Sequence, residues 1–284
     1  MDVRQKRYSL ELEPRKKKFN IGLVLKIAAA AAAVIVVIFL IRYFIDLGNV
    51  RTSYLAGKED ITVGIRCDVP AFGSEDENGN ITGFDRDVTE ALIRNVFGDD
   101  IDIEYSTLWS ENAGAAVKYD QVDFAAGFIV AGTDKVSTFA VTDPYYTDQA
   151  VIVVKEGSSV KGISSLNGRS VGLFNTEINV ATMENYADDA GVSFKELFRY
   201  YDYESARNDL NSGAIDAFIL PRQLALNYFQ DRFTILDEGL FGVGYSILFP
   251  VGETGIASVF SNEIERMEDT GEMDELAEKW GLSD

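Results

Sequence analysis

Apolar positions along this chain follow two different regimes. From Ile27 to Ile41 every residue is apolar, and the run extends back to Ile21 with Lys26 as its only charge. Beyond residue 59 the pattern breaks into short β-branched runs and stretches of helical periodicity. Ile61–Ile65 alternates and reads as a strand. Asn78-Gly79, inside the turn cluster Asp76–Asn80, predicts a hairpin. Val88, Ala91, Leu92 and Val96 share one helical face, with Asp85 or Asp87 as the expected cap and Gly98 as the stop. Further strands are expected at Ile101–Tyr105, Val122–Ile129, Ala150–Val154, Ser170–Phe174, Ala214–Leu220 and Phe241–Phe249, with Pro221 ending the fifth of these. Helices are expected at Ala113–Tyr119, at residues 178–189 and 203–211, and in the tail at Ala257–Met267 and Met273–Trp280, split by Gly271. Strands alternating with helices predict an α/β architecture, with a mostly parallel sheet in each of two lobes.

The first regime predicts a membrane anchor. Ile21–Ile41 is 21 residues long; at about 1.5 Å per residue, such a helix crosses a hydrocarbon layer of about 30 Å. Lys26 near its start can snorkel to the headgroups, and Tyr43 and Phe44 follow it where interfacial aromatics belong. Arg4, Lys6, Arg7, Arg15, Lys16, Lys17 and Lys18 precede it, so the positive-inside rule puts the N-terminus in the cytoplasm. A cleaved signal peptide would share this run. However, residues 42–57 hold no A-x-A site, and Cys67 lies inside a predicted strand, too far on for a lipobox. The expected layout is a cytoplasmic basic segment (1–20), a single-pass anchor (21–42), a stalk (43–59) and an extracytoplasmic body.

Charge sharpens this division. The formal net charge is −20, yet residues 1–57 hold 10 Lys/Arg against 4 Asp/Glu, so the remainder carries a net −26. A body so acidic repels phosphate backbones, which argues against nucleic acid as a partner. One cysteine excludes an intrachain disulfide. The absence of histidine removes the commonest general base and metal ligand, so neither a metal nor a cofactor is expected.

Several motifs in order carry a family resemblance. Gly64-Ile-Arg-Cys-Asp-Val-Pro-Ala-Phe72 and Asn78-Gly-Asn-Ile-Thr-Gly-Phe-Asp85 resemble the opening of the polar amino-acid family of bacterial solute-binding proteins. So do Val122-Asp123, Thr142-Asp-Pro-Tyr-Tyr146, Leu166-Asn-Gly-Arg-Ser-Val-Gly172, Ser212-Gly-Ala-Ile-Asp-Ala217, Phe241-Gly-Val-Gly244, and the tail from Ile264 to Trp280. The resemblance implies a two-lobed, type II periplasmic-binding-protein-like domain, closing on a solute about two crossing strands. It places lobe 1 at 60–152 and 240–284, and lobe 2 at 153–239. The crossings fall near Ala150–Lys155 and Leu236–Phe241.

Carried over residue by residue, the resemblance implies an altered site. Lys135 stands where the family has the Arg that forks the ligand carboxylate, and Gly132 replaces a helpful Thr. Phe128 and Val130 replace hydroxyl or small residues. Pro221, beside Arg222, replaces the Asp that holds the ligand ammonium, and the loop after the first lobe 2 strand reads Thr176-Glu177-Ile178. Phe72 and Trp109 fit the aromatic wall, although Val69 does not. The candidate binding residues are therefore Arg66, Phe72, Trp109, Phe128, Lys135, Glu177 and Arg222. Phe72 and Phe128 fit a packed core as well as a cleft wall, and Trp109 fits either role. Lys135, Glu177 and Arg222 fit plain solvated side chains too. Standard α-amino acids are expected to bind weakly.

Three functions compete. The first is the solute-capture component of an ATP-driven importer, monomeric, with a membrane permease and its ATPase as partners. No GxxxxGK[ST] loop occurs here, so ATP chemistry belongs to a partner. The second is a sensing or interaction module on the same fold. The third is an enzyme, which nothing in the residue pattern supports.

Overall fold

A computed structural model describes residues 21–109, 112–133, 138–175 and 177–282. Two compact units divide the chain at Ile45/Asp46. The first contains most of helix α1 (Ile21–Thr52), in which every side chain from Val24 to Ile45 is exposed. The stretch Val24–Thr52 is long and apolar enough to cross a membrane.

The stalk expected at residues 43–59 needs correction. From Asp46 onward the chain belongs to the body. Asn262 Nδ2 donates to both Asp46 carboxylate oxygens at 3.0 and 3.1 Å. Tyr54 Oη donates to the Asp123 carbonyl at 2.7 Å, and Leu55 is fully buried. Leu55 is the reason: a leucine beside a folded domain gains more by burial than in water.

The body holds two five-stranded sheets. The first has the order β4 (Asp102–Leu108), β1 (Asp60–Arg66), β5 (Phe124–Ala126), β12 (Leu248–Phe249), β6 (Ala140–Val141). The second has the order β11 (Phe233–Tyr245), β7 (Tyr146–Lys155), β10 (Ala217–Pro221), β8 (Ser170–Phe174), β9 (Glu196–Tyr200). The hairpin predicted at Asn78-Gly79 forms between β2 (Ser74–Glu75) and β3 (Ile81–Thr82). Both sheets are mixed rather than mostly parallel. The parallel pairs are β1 with β4 and β5, and β8 with β9 and β10; the others run antiparallel. The reason is topological. The chain crosses between sheets along β7 and returns along β11, so these strands oppose each other from Phe233↔Lys155 to Tyr245↔Tyr146. The register slips between Ile235 and Gly239 and again between Gly239 and Gly242.

Helices cover the sheets as amphipathic elements should. Helix α2 (Phe84–Phe97) buries Phe84, Val88, Leu92 and Ile93. Its cap is Gly83, not Asp85 or Asp87. Asp87 instead accepts from Lys279 Nζ and Trp280 Nε1, both at 2.7 Å, fastening the C-terminal helix α8 (Glu272–Lys279) to α2. Between them packs α7 (Thr254–Thr270), stopped by left-handed Gly271. On the second sheet, α4 (Val180–Asp189) and α5 (Tyr203–Ser212) are capped by Asn179 and Asp202. A short helix, α6 (Arg222–Tyr228), follows β10 directly because Pro221 ends the strand. Ahead of β5 lies α3 (Ala113–Lys118).

Candidate functional site

In open α/β sheets, ligands sit outside the carboxyl ends of the parallel strands, where backbone dipoles and loops converge. In the first sheet those ends deliver Arg66 from β1 and the Gly127-Phe128 turn after β5. In the second they deliver Glu177 after β8, Tyr203 after β9, and Tyr228 at the end of α6 beyond β10. These residues meet across the gap between the sheets.

Arg66 is the centre of the meeting. It is 3 % exposed, although it is a charged residue at a strand end. Its Nε and Nη2 donate to the two oxygens of Asp68 at 2.5 and 2.9 Å, a bidentate fork. Its Nη1 donates to Glu177 Oε1 at 2.9 Å, and Nη2 also donates to Tyr203 Oη at 3.1 Å. The guanidinium carbon lies 5.0 Å from the centre of the Phe128 ring. Asp68 lies in the bend just past the end of β1, within reach of the Arg66 guanidinium.

Helix α6 holds Asp68 as well. Tyr228 Oη donates to Asp68 Oδ2 at 2.8 Å, and Asn227 Nδ2 donates to the Asp68 carbonyl at 3.1 Å. Tyr203 stacks between Phe174 and Tyr228, at centroid separations of 4.4 and 3.9 Å. At the rim, Asn179 Nδ2 donates to the Gly132 carbonyl at 3.2 Å. Burial alone would raise the Asp68 carboxyl, but Arg66's hydrogen bonds and charge outweigh it and hold the group below the ordinary carboxylate range. Burial and the Glu177 charge push the Tyr203 phenol far up, so it stays protonated. Arg66 stays charged because its two carboxylates outweigh its desolvation.

Phe128 closes the other side. It is a non-glycine residue at φ 55°, a left-handed conformation that costs about 1–2 kcal/mol. Its ring packs on Tyr245 at 4.5 Å and Phe72 at 4.7 Å. Gly127 before it has φ 110°, and a Cβ there would lie 2.7 Å from Arg66 Cβ and 3.2 Å from Asp85 Oδ2. Only glycine lets the turn approach both.

Behind the turn sits Asp85, fully buried. Tyr145 Oη donates to its Oδ1 at 2.6 Å, while Oδ2 has no hydrogen-bond partner among the described residues. Burial pushes this carboxyl up to about 7, against the opposing pull of Tyr145 and Arg66. A third buried carboxyl, Asp148, accepts from the Gln149 and Gln223 backbone amides at 2.7 and 3.0 Å and from Tyr245 Oη at 3.0 Å.

Of the candidates named from sequence, Arg66, Phe128 and Glu177 converge here. Phe72 is fully buried behind them, against Phe84 and Tyr146. Trp109 stands at the neighbouring strand end, just past β4, whose Leu108 pairs with Arg66, and is 61 % exposed. Arg222 opens α6, with Nη2 donating to the Asp237 carbonyl at 3.0 Å. Lys135 and Thr176 fall outside the described residues. Asp68, Tyr203 and Tyr228 escaped the sequence reading. An Arg-x-Asp pair on a strand end was a signal for the first; only topology brings the two tyrosines in.

Comparison with known proteins bears on this arrangement. Residues 61–283 match the model for bacterial extracellular solute-binding proteins, family 3. The arginine-binding extracellular protein ArtP of Bacillus subtilis is 25% identical, over 82% of this chain and 90% of that protein. The L-arginine-binding protein of Pseudomonas aeruginosa is 24% identical, over 79% and 89%. Among solved structures, an ancestral arginine-binding protein bound to arginine superposes with a TM-score of 0.58 at 26% identity, covering 78% of this chain and 98% of that one.

Proposed function

Because the chain belongs to the bacterial extracellular solute-binding proteins of family 3, we propose that it is the solute-capture component of an ABC-type importer. Its relatives include amino-acid-binding components of such transporters. The observation that carries the reading is the set of polar groups which both sheets present to one another at their strand ends, with Arg66 and Glu177 paired across the gap. A solute held there touches both lobes, which is what makes closure depend on binding. The family is one of solute binders rather than catalysts.

The hinge lies in β7 and β11, and lobe 1 comprises 60–152 and 240–284, with lobe 2 at 153–239. The register slips in β11 support this, because a bulged ladder bends more readily than a regular one. Helix α1 stays on the protein as a single-pass anchor with the N-terminus inside. It keeps a monomeric body beside its permease and ATPase partners at raised effective concentration.

Relatives named for arginine and glutamine make basic and amide amino acids the first solutes to test. The experiment is a thermal-shift screen of the full chain in detergent against amino acids, amines, peptides and sugars. Binding to the folded state raises Tm. A solute that raises Tm supports the reading; no response from any class, with no permease captured by cross-linking in membranes, defeats it. A second reading, an interaction module without a solute, is favoured by one observation: Arg66, Asp68 and Glu177 already satisfy each other.

A further inference from the structure

We propose that Arg66 is a tethered guanidinium occupying the solute site, so that the domain closes on its own side chain and a cationic solute enters only by displacing it. This rests on the reading of the gap between the lobes as a solute site. Arg66 is a lobe 1 residue, yet its surroundings are those a free guanidinium would need. Two carboxylates bracket it, one from each lobe, at 2.5–2.9 Å. A phenol oxygen accepts its remaining forward proton at 3.1 Å, and an aromatic face covers the cation at 5.0 Å. Planar bidentate pairing and an aromatic lid are the chemistry by which guanidinium groups are recognised.

The contact pattern shows what the cation does. Glu177 and Tyr203 belong to lobe 2, so the Arg66 side chain supplies the cross-gap contacts that a bound solute would otherwise make. A core ion pair would be expected to join neighbours within one lobe. Arg169–Asp216, Lys279–Asp87 and Lys58–Asp123 all do so; Arg66–Glu177 bridges the two sheets. Asp85 adds an independent sign. Its Oδ2 is buried and unpartnered beside the Gly127 turn, and the Arg66 charge acts on it. Asp68 and Glu177 set two carboxylates against the single charge of Arg66, which favours a cation over an anion as the incoming group.

A tethered group competes at an effective concentration in the millimolar range or above. The apparent affinity of a free guanidine is then lowered by the small fraction of molecules in which the site is vacant. Removing the tether must restore it.

The test uses the full chain in detergent, with methylguanidinium, agmatine and L-arginine as probes and L-glutamate as control. Calorimetric titration compares wild type with Arg66→Ala. A spin-label distance between Asn95 on α2 and Glu204 on α5, in a Cys67→Ser background, reports closure. Arg66→Ala is expected to open the lobes, to bind the guanidines about tenfold or more tighter than wild type, and to close again when they bind. Glutamate has no such effect, and adding Glu177→Gln abolishes the gain. Arg66→Gln, which keeps much of the stem without charge, serves if the alanine variant fails to fold. A folded variant that ignores guanidines overturns the proposal. Loss of folding in both variants also overturns it, since an occupant is dispensable to the fold and a core ion is not. The importer reading fails separately, when wild type answers no solute and captures no permease; the rescue by guanidines is unaffected by that result.

Discussion

At Asp68 a half-buried carboxylate meets a guanidinium; at Asp85, on the other side of the Gly127-Phe128 turn, a fully buried carboxyl meets a phenol. The first is held below the ordinary carboxylate range by Arg66, and the second is pushed up to about 7 by burial. Asp68 keeps partial access to water, and Asp85 has none. The difference is pairing, and pairing follows place. Asp68 and Arg66 stand where the strand ends of the two sheets face each other. Asp85 stands in the first turn of α2, fully buried among Phe84, Phe72 and Tyr145. A broken contact in the first region can be repaired by solvent, whereas one in the second cannot.

The largest expected effect is in the closed region. Phe72→Ala should cost about 3–5 kcal/mol, as for other fully buried aromatics, and should be read by urea unfolding. A loss under about 1 kcal/mol would move Phe72 to the cleft wall, on the scale of exposed positions.

Next comes the pH profile of Asp85. A carboxyl raised in the folded state binds more protons there than when unfolded. Its stabilising contribution is present below about pH 4 and is lost as pH rises to about 7. Asp68 has the opposite sign: its contribution is present above about pH 4 and fades as pH falls. Asp85→Asn should therefore remove a decline on the order of a few kcal/mol between about pH 4 and 7, leaving the acid limb intact. Urea melts across that range decide the point, and a decline that survives the substitution would assign it elsewhere.

In the gap the effect on stability should be smaller. Glu177→Ala removes one of two carboxylates from a buried guanidinium, a change that costs about 3–5 kcal/mol in a core. Here the lobes part and water solvates Arg66, so the unfolding free energy should fall by only about 1 kcal/mol, while the Asn95–Glu204 distance lengthens. A core-sized loss with an unchanged distance would erase the contrast between the two regions. Smallest of all is Trp109→Ala: a side chain exposed to 61 % should change stability by no more than about 0.5 kcal/mol.

Local pattern was enough for much of this protein. The apolar run of α1, the β1 and β8 strands, the hairpin at Asn78-Gly79 and the tail helices all follow from periodicity and turn chemistry within a few residues. The ordered motifs from Gly64 to Trp280 carried the fold, because each is a local structure with its own spacing. Phe128 and Glu177 were also visible as departures, a ring or a charge where the resemblance leads one to expect something else, and Arg66 was named within the Gly64–Phe72 motif. Tertiary structure decided the rest. Asp87 and Asp85 read as equal caps for α2, yet one binds Trp280 and the other Tyr145, 193 and 60 residues away. Trp109 and Phe72 read alike as aromatic walls, and burial separates them. Tyr203 and Tyr228 carry no local mark; the first meets Arg66 across 137 residues and the second meets Asp68 across 160. The physical reason is the range of the forces. Periodicity, caps and turns act over a few residues, and so can be read along the chain. The pairing of a buried charge depends on which distant strand end the crossing of β7 and β11 brings to face it.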